Sequence, residues 1–309
     1  MRIAIIGAGA VGAYFGAHLA AAGNDVVFVA RGKHLVALQN NGLLVRGARG
    51  DQQVASSSFV SPSTPIGSVD VVLLCVKLYD LESGIELARP LVDQGAVCVT
   101  LQNGVDAQDR AAALLGDGHV MGGAAFVSAV IESPGVIRYT SAMSSIIFGE
   151  KDGSLSARAL ALEAVCKAAG FEAKACEDIK VRQWTKFVGL ATNAALTSLT
   201  RQPAGYVYHD SSMLPFALAS IAEVESVARA AGIALPIDIA SKTLALLQSF
   251  PSEMYASMYH DLAAGKRLEL DSLSGYIVRL GGELGVATPV HGLVYACLKP
   301  YAAGSMILQ

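Results

Sequence analysis

The chain has no block of like charge, no closely spaced cysteine pair and no cluster of metal-binding side chains. Charged residues make up only 16% of its 309 residues and sum to a net −3. Nothing therefore advertises nucleic acid or an anionic membrane as a partner, and small anions must be met by local cations. The five cysteines, Cys75, Cys98, Cys166, Cys176 and Cys297, are odd in number and scattered. That argues against a disulfide framework and fits a reducing, cytoplasmic compartment, with most thiols serving as small core hydrophobes. The six histidines show no ligand spacing, so no metal is expected. Internal repeats and low-complexity segments are absent as well.

Apolar residues are abundant, at 53%, and this raises the question of a membrane. Much of the excess is alanine, which fits closely packed helices, and no membrane partner is expected. Arg2 is followed by an apolar run ending in Ala20-Ala21-Ala22, the outline of a signal peptide. Glycines at fixed spacing, His18 within the run and a second apolar run at βαβ distance favour a folded element instead.

Length predicts two domains. Arg2–Gly7 reads as a buried strand and Ala10–Ala22 as a helix closed by Gly23-Asn24. Asp25–Ala30, Val69–Lys77 and Ala96–Leu101 are further strand-like runs separated by helical stretches. Continuous apolar strands alternating with helices imply a parallel sheet covered on both faces. Val120–Val130 and Val136–Phe148 read as later strands joined at Ser133-Pro134-Gly135, and Ser156–Ala169 as a helix. From Asp178 only helical periodicity remains. The expected fold is α/β: a Rossmann-like, doubly wound N-terminal domain over 1–175 and an all-α substrate and catalytic domain over 176–309.

Residues 7–12 read Gly7-Ala8-Gly9-Ala10-Val11-Gly12. In a G-x-G-x-x-G motif the first glycine permits the tight turn. The second lets backbone approach a pyrophosphate, and the third lets helix pack on strand. The phosphates then meet free N–H groups at the positive end of the helix. A preceding strand and a following helix and strand supply the context the motif requires. The second strand ends Phe28-Val29-Ala30-Arg31, without the carboxylate that usually binds an NAD ribose. Arg31 stands where a guanidinium can clamp a 2′-phosphate, with Lys33 and His34 adding positive character. A solvated surface arginine is the alternative. The balance favours NADP(H).

Further patches follow. They are Cys75-Val76-Lys77-Leu78-Tyr79-Asp80 with Leu101-Gln102-Asn103-Gly104-Val105, Trp184-Thr185-Lys186-Phe187, and Ser257-Met258-Tyr259-His260-Asp261 with Leu268-Glu269-Leu270-Asp271. With the glycine motif and Arg31, in this order and spacing, the chain resembles the ketopantoate reductase (2-dehydropantoate 2-reductase) family over nearly its whole length. The resemblance implies a Rossmann-like domain joined to an all-α domain, with an active site in the cleft between. It also implies reduction of a 2-oxo acid by NADPH, as in pantothenate biosynthesis. By matching motif, Lys186 is the implied general acid and Glu269 the carboxylate that helps hold the reacting oxygen. Asn103 is implied beside the nicotinamide and the lysine, Lys77 along the cofactor, and Ser257 at the substrate's carboxylate.

Elementary chemistry supports these roles. Hydride addition to a ketone develops charge on oxygen, so a proton donor or oxyanion partner is needed. Lysine on a helix is ordinarily solvated. Trp184, Phe187, Val188 and Leu190 surround Lys186 with apolar side chains, so a charge there needs a reason. Taken alone, Glu269 reads equally as a carboxylate favoured by a helix N-terminus. Ser257 reads equally as a helical serine bonding its own backbone. Asp261 and Asp271 are expected to cap or pair, and His209 and His260 to be ordinary polar residues.

The family's lysine is typically followed on its helix by two asparagines, four and eight positions on, where this chain has Leu190 and Ala194. Asn193, seven positions on, returns near the same face and is the candidate substrate-binding residue. A less polar 2-oxo acid than ketopantoate is therefore expected. Two other readings stay open: an NADP-dependent 3-hydroxyacid-type dehydrogenase, and a non-catalytic NADP-binding redox sensor. A homodimer is compatible with the alanine-rich helical half, although no heptad seam compels one.

Overall fold

The structure, a computed structural model, describes residues 1–47, 50–140 and 144–304. The chain divides into two compact units, Met1–Lys180 and Val181–Gln309. The division falls within the first turn of a long helix rather than at the end of the last strand.

The first unit opens with β1 (Arg2–Ile6), α1 (Ala10–Ala21), β2 (Asp25–Val29) and α2 (Gly32–Asn41). Three short strands follow, β3 (Leu43–Gly47), β4 (Gln52–Val54) and β5 (Phe59–Val60). Then come β6 (Val71–Leu74), α3 (Leu81–Val92), β7 (Val97–Thr100) and α4 (Ala107–Leu115). The unit closes with β8 (Val120–Phe126), β9 (Ala129–Ser133), β10 (Val136–Tyr139), β11 (Ser145–Glu150), α5 (Ala157–Ala168) and β12 (Glu172–Ala175).

Eight strands form one sheet in the order β12-β11-β8-β7-β6-β1-β2-β5. From β5 to β8 all neighbours are parallel, which is the doubly wound order. Residues on alternate faces of each strand feed separate cores. Ile3, Ile5, Val71, Leu73 and Val99 pack with α1 and α5, whereas Ala4, Ile6, Val72, Leu74 and Cys98 pack with α3 and α4. The strands are apolar throughout because both faces are covered. The strand order reverses between β1 and β6, so the crevice at their carboxyl ends is where such sheets take ligands.

A second sheet, β4-β3-β10-β9, lies on the far side of α1. That explains the signal-like run, since every residue of α1 from Gly12 to Leu19 is buried. The second sheet also corrects the expected later strands. Val120–Val130 is two strands, because the chain leaves the main sheet after Phe126 and pairs again as β9. Val136–Phe148 likewise divides into β10 and β11, and residues 141–143 of that expectation lie outside the described residues. Apolarity marks a strand without saying which sheet it joins. The turn at Ser133-Pro134-Gly135 does join β9 to β10.

The second unit carries most of α6 (Ile179–Thr200), then α7 (Ala204–His209), α8 (Leu214–Ala230), α9 (Ile239–Gln248) and α10 (Ser257–Ala263). It ends with α11 (Ser274–Leu284) and α12 (Pro289–Leu298). A buried polar hub ties four of these helices. Ser220 on α8 donates to Thr192 on α6 at 3.1 Å, so its oxygen accepts from Nε2 of His291 on α12 at 3.0 Å. Nδ1 of that imidazole accepts from Ser274 on α11 at 3.2 Å. Burial holds the His291 pKa down at about 4, so the ring stays neutral. Glu223 accepts from the N–H groups of Val290 and His291 at 2.7 and 3.0 Å, satisfying the start of α12. No helix of the described residues is long and apolar enough to cross a membrane.

Candidate functional site

The glycine loop is shaped by contacts that a side chain would destroy. Gly7 follows β1 at a φ of 100°, and a Cβ there would lie 2.7 Å from the Val76 nitrogen. The N–H groups of Gly7 and Ala8 donate to the Val29 carbonyl at 3.2 and 3.1 Å, tying the turn to the end of β2. A Cβ on Gly12 would strike the Gly7 carbonyl oxygen, so only glycine lets α1 pack this closely on β1. Gly9 is different, because a Cβ built there meets nothing within 4 Å. It is the N-cap of α1, no side chain caps the helix, and its first turn holds no acidic residue. The backbone N–H groups at Ala10 and Val11 thus open a helix whose own first turn carries no carboxylate. These residues fit a pyrophosphate.

At the tip of β2, Arg31 is the N-cap of α2 and extends an exposed side chain. Its Nη2 pairs with Oδ2 of Asp80. Lys33 is exposed nearby in sequence. His34 departs from the expectation of positive character. Gly135 donates to its Nδ1 at 3.2 Å, which leaves Nε2 to donate to the Ala8 carbonyl at 2.9 Å. Burial lowers its pKa and the bond to Ala8 only partly opposes that, so the ring is a neutral staple between α2 and the glycine loop.

Lys77 and Asn103 follow β6 and β7, both half-buried, at the carboxyl edge of the sheet. Gln102 precedes Asn103 in the chain and is buried. Its Nε2 donates to the carbonyls of Leu74 and Val76 at 2.8 and 3.3 Å, binding the two strand ends together.

In the helical unit, Trp184 and Phe187 are buried edge to face with ring centroids 5.5 Å apart. They fix the segment of α6 that carries Lys186. Lys186 keeps some surface exposed, yet burial around its ammonium pulls its pKa from 10.5 to about 8, with the Glu269 carboxylate opposing the shift. Glu269 is itself 7% exposed. It precedes a short 3-10 turn, Leu270–Ser272, and its side chain makes no capping bond there. Its place at the head of that turn is also the one the helix-terminus alternative expects of a carboxylate.

The other site candidates of this unit differ in setting. Asn193 is buried, and its Oδ1 accepts from the Tyr208 hydroxyl at 2.9 Å. Leu190 is half-buried and Ala194 fully buried on the same helix. Ser257 begins α10 and is exposed, so it is not the helix-interior serine of the alternative reading. Asp271 accepts from the Tyr295 hydroxyl at 2.7 Å, and His209 bonds the Gln248 carbonyl at 3.1 Å, as ordinary structural partners.

Sequence reasoning gave no role to Asp80, Gln102 or the His34–Gly135 contact. Asp80 lies inside a quoted patch, but no local rule links it to Arg31, 49 residues earlier. Only the strand order brings them together.

Residues 3–153 match the family model described as ketopantoate reductase PanE/ApbA, and residues 178–302 match its C-terminal counterpart. A 2-dehydropantoate 2-reductase of Archaeoglobus fulgidus is 34% identical over 305 residues, 98% of either chain. A Bacillus subtilis protein named uncharacterized oxidoreductase YkpB is 29% identical, covering 98% of this chain and 99% of the relative. The crystal structure of a PanE/ApbA family ketopantoate reductase from Ralstonia eutropha JMP134 is 31% identical and superposes with a TM-score of 0.89 over 98% of each chain.

Proposed function

Because the chain belongs to the ketopantoate reductase family of pyridine-nucleotide-dependent oxidoreductases acting on CH–OH groups, we propose that it reduces a small 2-oxo acid with NADPH and uses Lys186 as the proton donor. The observation that carries this reading is a Lys186 ammonium desolvated by burial, with the charge of the buried Glu269 carboxylate opposing that loss. NADPH, when bound, supplies the hydride.

The protein supplies alignment and charge. Backbone N–H groups of Gly7–Gly12 hold the pyrophosphate, and Arg31 reads the 2′-phosphate. Lys77 lies along the cofactor. Asn103, next to the strand-tying Gln102, orients the nicotinamide end. Lys186 holds a proton at Nζ and passes it to the carbonyl oxygen as charge develops there. With its pKa at about 8, that proton is present at neutral pH but given up far more readily than by a solvated lysine. Glu269 keeps the ammonium charged against its desolvation and steadies the reacting hydroxyl. Ser257 takes the substrate's carboxylate end, and Asn193 borders the substrate.

Leu190 and Ala194 stand about one and two turns beyond Lys186 on α6, so the substrate wall proposed beside the lysine is apolar. Such a wall gives no hydrogen bond to a substrate hydroxyl, so the preferred substrate is a 2-oxo acid less polar than ketopantoate. NADPH consumption across a panel of 2-oxo acids tests both parts. Turnover is expected, with kcat/KM for branched 2-oxo acids lacking the hydroxyl at or above that for ketopantoate. A clear preference for ketopantoate removes the substrate assignment, and no turnover with any 2-oxo acid removes the activity.

A further inference from the structure

The Arg31–Asp80 pair has a consequence for nucleotide choice that rests on the cofactor seat proposed above. β2 and β6 both pair with β1, on opposite sides. Strands are spaced about 4.8 Å apart, so the tips of β2 and β6 stand roughly 10 Å apart with the glycine turn between them. Arg31 leaves the first tip, and Asp80 ends the 3-10 turn Leu78–Asp80 that follows the second. Their ion pair therefore spans the edge on which the adenosine ribose of a dinucleotide lies.

The carboxylate is not accounted for by its own helix. Asp80 is the N-cap of α3, where an aspartate ordinarily accepts from the first free N–H groups. Here its side chain makes no capping bond, and it meets the guanidinium instead. Its side chain is 20% exposed against 70% for Arg31, so the carboxylate is the anchored partner and the arginine the adaptable one. A pair this exposed contributes little to stability and yields readily to a competing anion.

We propose that Asp80 sets the cofactor preference, making this edge a site that accepts NADH as well as NADPH. The carboxylate that NAD-binding sheets carry at the tip of the second strand is here delivered from the turn after β6. It accepts the 2′-hydroxyl of NADH. When a 2′-phosphate arrives, Arg31 turns its remaining N–H donors to it. The phosphate then gains less than it would from an uncommitted arginine, because Asp80 offsets the guanidinium charge and repels the dianion. His34 does not tip the balance back, since its ring is neutral and engaged with Ala8 and Gly135. Lys33 is the remaining exposed cation beside Arg31 in the chain.

Equilibrium dissociation constants of NADPH and NADH, measured by nicotinamide fluorescence on the full chain, test the proposal without turnover. Wild type is expected to bind the two within about tenfold of each other. Asp80→Asn is expected to tighten NADPH and weaken NADH, shifting their ratio by about tenfold or more. Asp80→Glu should keep the wild-type ratio. Arg31→Ala should weaken NADPH while leaving NADH nearly unchanged. An unmoved ratio in Asp80→Asn, or equal weakening of both nucleotides, overturns the proposal while the cofactor seat stands. If wild type binds neither nucleotide, the seat itself is wrong and the proposal falls with it.

Discussion

In the reaction proposed above, Lys186 must keep its proton at neutral pH and release it during turnover. Burial lowers its affinity for that proton and Glu269 restores part of it, leaving a pKa of about 8. The acid form is the working form in reduction. Activity should therefore be level below pH 8 and fall as pH rises through about 8. A pH profile of kcat/KM for 2-oxo-acid reduction checks this, and a profile unchanged up to the range of a solvated lysine would remove the assignment. The desolvated setting of Lys186 was legible because its apolar neighbours in sequence flag a charge held out of water. Asp80 was not legible, because its meaning depends on Arg31 across two strands. The protonation of His34 was hidden similarly, since the donor that fixes its tautomer, Gly135, lies on a different sheet strand's turn.

Among the elements, α1 carries the most demands. It must sit tightly on β1, cover the second sheet on its other side and leave its first turn open. The glycine spacing reveals the first demand in sequence, and the continuous burial from Gly12 to Leu19 reveals the second only in the structure. Gly12→Ala tests the close approach. Its methyl group would meet the Gly7 carbonyl and stand 2.9 Å from the Ile5 side chain, so α1 must lift from the strand. Overpacking of this kind costs about 1–3 kcal/mol, and it should also weaken NADPH because the loop moves with the helix. Denaturant unfolding and nucleotide titration would read the two effects. Unchanged stability with unchanged affinity would mean the loop tolerates a side chain. The short strands β3 and β4 and the split of the expected later strands went unread for a related reason. Two- to seven-residue runs do not declare which sheet completes their hydrogen bonds.

For the whole molecule, the alternation of apolar strands with helices made the doubly wound sheet readable, and the loss of that alternation marked the helical half. The roles proposed above divide by unit, as the sequence expectation of a dinucleotide half and a catalytic half has them. The cofactor loop, Arg31, Lys77 and Asn103 belong to Met1–Lys180, whereas Lys186, Asn193, Ser257 and Glu269 belong to Val181–Gln309. Proton donation and nucleotide binding should then be separable by mutation. The most direct measurement is kcat for 2-oxo-acid reduction by Lys186→Ala, taken together with its dissociation constant for NADPH. Removing a general acid costs about 10²–10⁴-fold in rate, so kcat should fall by that order while NADPH affinity stays close to wild type. Near-normal kcat would contradict the account, and so would a loss of NADPH affinity large enough to explain the fall in rate.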